Sequence, residues 1–328
     1  MSVTIKGIGV ADPKRLVESS EIDHYLGVDE GTIESRTGIK QRRYASNESA
    51  GELGVKAIHN ALQDAKFEIS DIDCIISASG TMEQAIPYNG ANIHRLLNIN
   101  KPIPTFDINM TCLSAVAAIN VANSLILSNT YNNILIVSSE IASVGLDWND
   151  IEVGGMFGDG AAAMIFGKSI YSSQRILGSH FETHSEGYES CQIRGGGSLN
   201  HPSKVIDEDY SKYGLFEMHG KEAYRLTAKV MPKFLQKLLE KSNIQLDDVD
   251  WVVPHQASYL GLEHLKKRLK VPEHKLINIL SEKGNQIASS IPKALYELLK
   301  HRTVKKGDKV LIIGTSAGLS LGGVIMEM

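Results

Sequence analysis

The chain has 328 residues, about twice the length of an average domain, which favours one large α/β unit or two fused halves over a small module. Hydrophobic residues make up 42% and charged residues 22%, and no apolar run reaches the roughly 18 residues that span a bilayer, so the composition excludes a membrane protein. Lys and Arg number 34 against 38 Asp and Glu, a net charge of −4, which excludes a globally basic surface for nucleic acid.

The start of the chain and its cysteines bear on the cellular compartment. The first ten residues, MSVTIKGIGV, read as an alternating strand and lack the apolar core and cleavage site of a signal peptide. We therefore expect a cytoplasmic protein. The three cysteines, Cys74, Cys112 and Cys191, are widely separated and form no CxxC pair, which argues against a disulfide framework or a thiolate zinc site.

Strands and helices alternate along the chain, and one series of elements occurs twice. The segment Asp71 to Ile76 is echoed by Asp248 to Val253, with Asp73 and Asp250 separated by 250 − 73 = 177 residues. The apolar strand from Ile134 is echoed by the strand from Val310, at an offset of 310 − 134 = 176. The apolar helical patterns 113–127 and 287–299 follow the same spacing.

This spacing predicts an α/β fold built from two similar halves that are related by a pseudo-twofold axis. We assign residues 1–170 to the first half, with the nucleophilic cysteine, and 171–328 to the second, with a histidine and an asparagine. Residues 168–218 are rich in Gly, Ser, His and Tyr, and we interpret them as connection and surface loop.

Cys112 lies where a predicted strand, 104–110, meets a predicted helix, 113–127. The unpaired N–H groups and the dipole of a helix start favour a thiolate and can donate to an oxyanion on an attached acyl group. The alternative is a small residue that packs well beneath a sheet. Cys74, inside an apolar strand, and Cys191, in a polar linker, are interpreted as structural thiols.

The second half supplies candidate partners for this thiol. His255 directly follows a predicted strand, and Asn285 opens the helical pattern 287–299. Taken alone, the histidine fits a core residue and the asparagine fits a helix cap. If the two halves face one cleft with the carboxyl ends of their strands, Cys112, His255 and Asn285 converge there.

Five motifs, in order through the whole chain, resemble the β-ketoacyl-acyl carrier protein synthase III family of condensing enzymes in the thiolase superfamily. They are Arg36-Thr37-Gly38-Ile39 with Arg42 and Arg43, the turn at Cys112, Phe157-Gly158-Asp159-Gly160, Val253-Pro254-His255-Gln256-Ala257, and Gly284-Asn285 with the following Ala288-Ser289-Ser290.

The resemblance implies a five-layered αβαβα fold, a homodimer and an acyl thioester on Cys112. His255 and Asn285 would promote decarboxylation of a malonyl-type extender, whose enolate attacks the acyl group, in fatty acid or secondary-metabolite biosynthesis. It implies acyl-coenzyme A or acyl carrier protein thioesters as substrates, and no metal or tightly bound cofactor.

Further site residues follow from the same resemblance. The family has a run of glycines where this chain has Thr315-Ser316-Ala317-Gly318, so the Ala317 N–H, beside Gly318, is a candidate second oxyanion donor. Arg36 is a candidate acyl-donor contact. Thr32 and Ile151 occupy the positions of a tryptophan and an arginine that clasp coenzyme A in other members, so we expect a coenzyme A thioester to bind differently, or the donor to ride on a carrier protein.

Basic residues cluster on the predicted helix after His255, at Lys266, Lys267 and Arg268. In the family this region meets the acidic acyl carrier protein, and the charges suit such steering. The alternative is a solvated helix face. A second basic stripe, with a spacing of four residues, consists of Lys221, Arg225, Lys229 and Lys233.

Two other functions remain open at this point. One keeps the acyl group on Cys112 but transfers it to a hydroxyl, an amine or water without decarboxylation. The other is a non-catalytic subunit that binds a carrier protein or another synthase.

Overall fold

The computed structural model describes residues 2–169, 173–206 and 209–328. Its strands, in chain order, are β1 Ser2–Ala11, β2 Arg15–Glu18, β3 Gln41–Tyr44, β4 Cys74–Ser77, β5 Thr105–Asp107, β6 Asn133–Glu140, β7 Gly160–Ser169, β8 Arg175–Thr183, β9 Cys191–Ile193, β10 Phe216–Met218, β11 Trp251–Pro254, β12 Lys309–Ser316 and β13 Ser320–Glu327. Its α-helices are α1 Ser19–Leu26, α2 Thr32–Thr37, α3 Ala50–Ala65, α4 Asn89–Leu96, α5 Ser114–Leu127, α6 Ile151–Gly154, α7 Gly220–Ser242, α8 Tyr259–Leu269, α9 Leu280–Lys283 and α10 Ser290–His301.

Two sheets of matching order form the frame of the molecule. The larger has the order β1-β7-β6-β4-β5, in which β4 runs parallel to β5 and β6, and β7 runs antiparallel to β6 and β1. The second has the order β8-β13-β12-β11, with β11 parallel to β12 and the other two pairs antiparallel. The strands β8-β13-β12-β11 therefore have the same order and relative directions as β1-β7-β6-β4, as the internal duplication predicts.

Helices cover both faces of each sheet. Along β6, Ile134 and Ile136 pack on the central helices α5 and α10, whereas Leu135 and Val137 face α3 on the outside. The second sheet shows the same alternation. Along β12, Val310 and Ile312 belong to the central core, whereas Leu311 and Ile313 pack with α7 on the outside. A strand buried on both faces reads as a continuous apolar run, and such runs are what the sequence displays. The result is the five-layered αβαβα arrangement.

The region between the halves is more ordered than the sequence indicated. We interpreted 168–218 as connection and loop, but it contains β8, which completes the second sheet, and the β9–β10 pair. Our interpretation was wrong because β8 is an edge strand whose residues are mostly half-buried, so it lacks a continuous apolar run. The boundary between the halves, at residues 170 and 171, lies outside the described residues.

Helix starts differ from the predicted ones by a few residues. The patterns 113–127 and 287–299 correspond to α5 and α10, each preceded by a 3₁₀ turn, Thr111–Leu113 and Ile287–Ser289 respectively. The strand predicted over 104–110 is limited to β5. No helix among the described residues combines the length and apolarity needed to cross a membrane.

Candidate active site

Cys112 occupies the middle of the 3₁₀ turn Thr111–Leu113, between β5 and α5. Thr111 takes a left-handed φ of 46°, which is uncommon for a β-branched residue. The turn is held by side chains: Thr111 N–H donates to Asn109 Oδ1 at 2.9 Å, and Met110 N–H donates to Ser114 Oγ at 2.9 Å. The cysteine is thus presented from a specified turn rather than from the regular helix.

Asn285 lies before an equivalent turn in the second half. Ile287 N–H donates to Asn285 Oδ1 at 2.9 Å, Gln286 N–H donates to Ser290 Oγ at 2.9 Å, and Ile287 has a φ of 50°. The offset from Thr111 to Ile287 is 287 − 111 = 176 residues. Asn285 is therefore the counterpart of Asn109. Its side-chain amide is oriented by two bonds, because Oδ1 accepts from Ile287 N–H and Nδ2 donates to Ala257 O at 3.3 Å.

His255 follows β11, where its backbone N–H donates to Ile313 O on the neighbouring β12 at 2.9 Å. It is buried, and its Nδ1 has no hydrogen-bond partner among the described residues. Gly314 makes room for it, since a Cβ there would lie 2.7 Å from His255 Cβ and 3.2 Å from Leu113 Cδ2. His255 thus packs beside the Cys112 turn across β12.

Two backbone donors face the sulfur of Cys112. They are the N–H groups of Ala317, just after β12, and of Cys112 itself, and both favour the thiolate. Burial outweighs them and, with the negative charge of Glu140 next in effect, raises the pKa of the thiol to about 12. Gly318, at a φ of 78°, turns the chain behind Ala317.

His255 is uncharged near neutral pH, because burial lowers its pKa to about 4. A neutral imidazole carries one N–H and one acceptor nitrogen. Together with the amide of Asn285, it supplies two neutral hydrogen-bond donors, one after β11 and one just before the 3₁₀ turn that packs on the Cys112 turn. Such a pair suits an oxygen on which negative charge develops.

Sequence reasoning missed two residues near Cys112. Glu140, at the end of β6, is fully buried and influences the thiol electrostatically. Cys191, at the start of β9, also faces Cys112, and burial raises the pKa of its thiol to about 11. The position of Glu140 at the carboxyl end of an apolar strand was a usable signal, whereas nothing local marks Cys191. Cys74 is fully buried in β4, as expected of a structural thiol.

The candidate acyl-donor residue Arg36 and the two clamp positions, Thr32 and Ile151, are exposed or half-buried. Arg36 is exposed in the last turn of α2. Thr32 begins α2 and Ile151 begins α6, and these two helices pack together. The two helices that carry the positions of the coenzyme A clamp therefore pack together here, without its aromatic and guanidinium groups.

The basic helix α8 borders the same surface. Gly38, which ends α2, lies against Tyr259 in the first turn of α8, where a Cβ would be 2.8 Å from Tyr259 Cβ. Lys267 and Arg268 are exposed on α8, but Lys266 is held by Glu263 at 2.6 Å. Its charge is thus less available to a partner than that of its neighbours.

Among residues 2–169, 173–206 and 209–328, no group of three His, Cys, Asp or Glu side chains could hold a metal ion.

Family models match most of the chain. One described as 3-oxoacyl-[acyl-carrier-protein] synthase III matches residues 106–185, and its C-terminal counterpart matches 239–328. A thiolase N-terminal domain model matches 33–144. A β-ketoacyl-[acyl-carrier-protein] synthase III of Microcystis aeruginosa is 34% identical, covering 99% of this chain and 97% of that protein, and one of Rickettsia bellii is 31% identical over the full length of both.

Solved structures with the same fold include two named enzymes. The 3-oxoacyl-[acyl-carrier-protein] synthase III of Aquifex aeolicus superposes with a TM-score of 0.89 at 28% identity and covers 99% of this chain and 100% of its own. A variant of OleA from Xanthomonas campestris superposes with a TM-score of 0.87 at 20% identity, over 100% of this chain and 98% of its own, a likeness of fold alone.

Proposed function

Because the chain belongs to the β-ketoacyl-[acyl-carrier-protein] synthase III family, we propose that it condenses an acyl group held on Cys112 with a malonyl-type thioester. It is an acyltransferase of the condensing type, and its product is a β-ketoacyl thioester. Cys112 is the nucleophile, His255 and Asn285 stabilise the enolate, and Ala317 contributes to the oxyanion hole.

The observation that carries this proposal is the burial of His255 at the end of β11, in the segment that Asn285 contacts, since Asn285 Nδ2 donates to Ala257 O at 3.3 Å. A buried imidazole with a pKa of about 4 is neutral at physiological pH and cannot form a resting thiolate–imidazolium pair with Cys112. It can donate one hydrogen bond, and Asn285 can donate another. Two neutral donors favour enolate stabilisation over base catalysis.

In the first step, the Cys112 sulfur attacks the carbonyl carbon of an acyl thioester. The C–S bond to the donor breaks, and the proton of the Cys112 thiol passes to the departing thiol. The N–H groups of Cys112 and Ala317, which face the sulfur, are placed to receive the oxyanion that forms meanwhile.

In the second step, the bond between the α-carbon and the carboxylate of the malonyl thioester breaks and releases carbon dioxide. The electron pair forms an enolate whose oxygen accepts from His255 and Asn285. The loss of one such donor costs about 3 kcal/mol of transition-state stabilisation.

In the third step, the enolate carbon attacks the acyl carbonyl carbon on Cys112. The new carbon–carbon bond forms, the C–S bond to Cys112 breaks, and the Cys112 thiolate that leaves takes up a proton from solvent. The thiol is thereby restored for the next acyl donor.

We further propose that the thioester substrates arrive on an acyl carrier protein. Arg36 is exposed on α2, whose end at Gly38 packs against Tyr259 at the start of α8, and the exposed Lys267 and Arg268 lie in the last turn of α8. Their positive charges suit an acidic partner. Thr32 and Ile151 offer neither stacking nor cationic contact for an adenine, which favours a carrier protein over free coenzyme A as donor.

A homodimer is proposed from the family and from one edge of the larger sheet. β5 forms that edge, and Tyr88 Oη donates to Thr105 O on it at 3.2 Å. Tyr88 belongs to a segment with large exposed apolar side chains, including Met82 and Ile86. An apolar patch beside a strand edge is a common site of self-association.

The test supplies an acyl thioester with and without a malonyl thioester and measures carbon dioxide and β-ketoacyl product. We expect both products only with malonate. Cys112→Ala should abolish condensation, and Asn285→Ala should retain acyl loading of Cys112 while decarboxylation falls about 100-fold.

Two outcomes contradict the proposal. If the acyl group leaves Cys112 equally fast without malonate, the enzyme transfers it to another acceptor. If Cys112 gains no acyl mass from carrier-protein or coenzyme A donors, the chain is a non-catalytic subunit.

A further inference from the structure

Glu140 is a fully buried carboxylate that accepts three hydrogen bonds close to the nucleophile. Its Oε1 accepts from Gly80 N–H at 2.6 Å, and its Oε2 accepts from Thr81 N–H at 2.9 Å and from Thr81 Oγ1 at 2.5 Å. The backbone N–H of Ala288 also favours the ionised carboxylate. These N–H groups come from two separate turns, one after β4 and one before α10.

The turn after β4 lies directly against the Cys112 turn. A Cβ on Gly80 would lie 3.2 Å from the carbonyl carbon of Thr111 and 2.5 Å from Ile287 Cγ2, so Gly80 fits between the two 3₁₀ turns. Ser114 Oγ, two residues beyond Cys112, also donates to Ser79 O at 3.2 Å. Glu140 therefore connects the segment that touches Cys112 to the segment that carries Asn285.

The duplication gives this arrangement a counterpart. Ala288 corresponds to Cys112, since 288 − 112 = 176, and Glu140, the last residue of β6, corresponds to Ser316, the last residue of β12. Around Cys112, the N–H groups of Cys112 and of Ala317, which follows Ser316, face the sulfur. Around Ala288, the N–H group faces the buried carboxylate of Glu140 instead.

We propose that Glu140 is a positioning residue whose carboxylate occupies the internal counterpart of the oxyanion hole and fixes the Asn285 turn against the Cys112 turn. The proposal rests on the proposed roles of Cys112 and Asn285. It assigns Glu140 no contact with substrate.

A charge so placed also affects the nucleophile. Glu140 from β6 and Cys191 from β9 are the titratable groups that act on the thiol of Cys112, and both oppose its ionisation. Removing the charge of Glu140 should therefore ease thiolate formation, even as it loosens the turn that carries Asn285. These two effects have separate readouts.

The experiment compares Glu140→Gln and Glu140→Asp in the full chain carrying Cys191→Ser, which removes the neighbouring thiol. Alkylation of Cys112 by iodoacetamide is followed by peptide mass spectrometry between about pH 6 and pH 10, and condensation is measured as kcat and KM. Asp73→Asn is the matched control, because Asp73 accepts from Asn132 N–H at 2.9 Å and Asn133 N–H at 3.0 Å, at the opposite end of β6.

We expect Glu140→Gln to shift the alkylation profile of Cys112 to lower pH by about half a unit or more. Its single acceptor oxygen cannot serve the donors on both carboxylate oxygens, so kcat should fall about tenfold or more. Glu140→Asp keeps the charge but shortens the side chain by one methylene, which moves the carboxylate away from its donors. We therefore expect kcat to fall while the pH dependence of Cys112 alkylation is unchanged. The control should change neither.

The proposal is overturned if folded Glu140→Gln retains both the wild-type alkylation profile and a kcat within about twofold of the parent. If Glu140→Gln does not fold, Glu140→Asp decides: an unchanged kcat overturns the proposal, and a selective loss of kcat supports it. Failure of the proposed function would appear differently, as absent condensation in the parent, with the alkylation comparison still informative.

Discussion

At the scale of the residue, the site depends on groups that burial keeps uncharged. Burial lowers the pKa of His255 to about 4 and raises that of Cys112 to about 12, so both are neutral at physiological pH. The sequence predicted Cys112, His255 and Asn285 because each follows or precedes a recognisable element. Glu140 was not predicted, since its importance depends on donors from two distant turns.

The buried His255 should make stability depend on pH. Its pKa is about 6.5 in the unfolded chain and about 4 in the fold, so between these values only the unfolded chain binds the proton. The free energy of unfolding should fall as pH drops from about 6.5 to 4, by up to about 1.4 kcal/mol per pH unit from this residue.

Chemical denaturation of the wild type and His255→Asn across this range checks the prediction. As pH falls, the free energy of unfolding of the wild type should decrease more than that of His255→Asn, because Asn cannot take up the proton. The difference between the two proteins should therefore shrink or change sign toward low pH. The raised pKa of Glu140, about 7, has the opposite pH effect, but it is present in both proteins and cancels. Parallel curves would contradict the account.

At the scale of the element, two left-handed turns control where the reactive groups lie. Thr111 and Ile287 have φ values of 46° and 50°, and each is the first residue of the 3₁₀ turn that precedes the α-helix. Apolar periodicity predicted both helices but not these turns, because β-branched residues rarely adopt positive φ. The deciding interactions are the bonds to Asn109, Ser114, Asn285 and Ser290.

Gly314 on β12 sets the place of His255. Gly314→Ala would bring a methyl group 2.7 Å from His255 Cβ, so the histidine must move, and we expect a loss of about 1–3 kcal/mol in unfolding free energy. Malonyl decarboxylation should fall more than alkylation of Cys112. Gly197→Ala is the control, since nothing lies within 4 Å of a Cβ there, and equal behaviour of both variants would refute the role.

A buried ion pair joins β1 to α10. Lys293 is 3% exposed and pairs with Asp12, which also accepts from Lys283 Nζ at 2.6 Å. Burial would raise the pKa of Asp12, but the two lysines hold it well below its usual range. Asp12→Asn leaves the Lys293 ammonium without its partner and should cost about 3–5 kcal/mol of stability.

Thermal and denaturant unfolding check this cost against Glu21→Gln. That control breaks the Arg15–Glu21 pair, whose side chains are 52% and 50% exposed, and should change stability by at most about 1 kcal/mol. A similar small loss for Asp12→Asn would show that the buried pair does not hold the halves together.

At the scale of the whole molecule, the duplication explains both what the sequence predicted and what it did not. The recurring offset identified two halves, and the two sheets have matching strand order. The offset also carries β1 onto 178–187, where β8 lies, but β8 has the half-buried, mixed sequence of an edge strand and was not recognised. The short strands β9 and β10 pair outside the two sheets. The expectation that Cys112, His255 and Asn285 converge required the further assumption that the two halves face one cleft.

The basic surface of α8 should govern association with a carrier protein. Lys267→Glu with Arg268→Glu should raise KM for carrier-protein substrates about tenfold at low salt, with little change in kcat. Lys306→Glu is the matched control, because it is exposed before β12, at the end opposite the Ala317 turn. The effect should shrink as salt rises, and equal effects of both charge reversals would exclude a docking role for α8.

The central claim is that an acyl group on Cys112 leaves by forming a carbon–carbon bond. Its most direct test is intact-protein mass spectrometry of acyl-loaded enzyme, mixed with malonyl thioester and sampled over time. We predict an acyl adduct on Cys112, absent from Cys112→Ala, that disappears only with malonyl thioester as an equal amount of β-ketoacyl product forms. An adduct that persists with malonyl thioester, or that is lost as free acid without it, would contradict the claim.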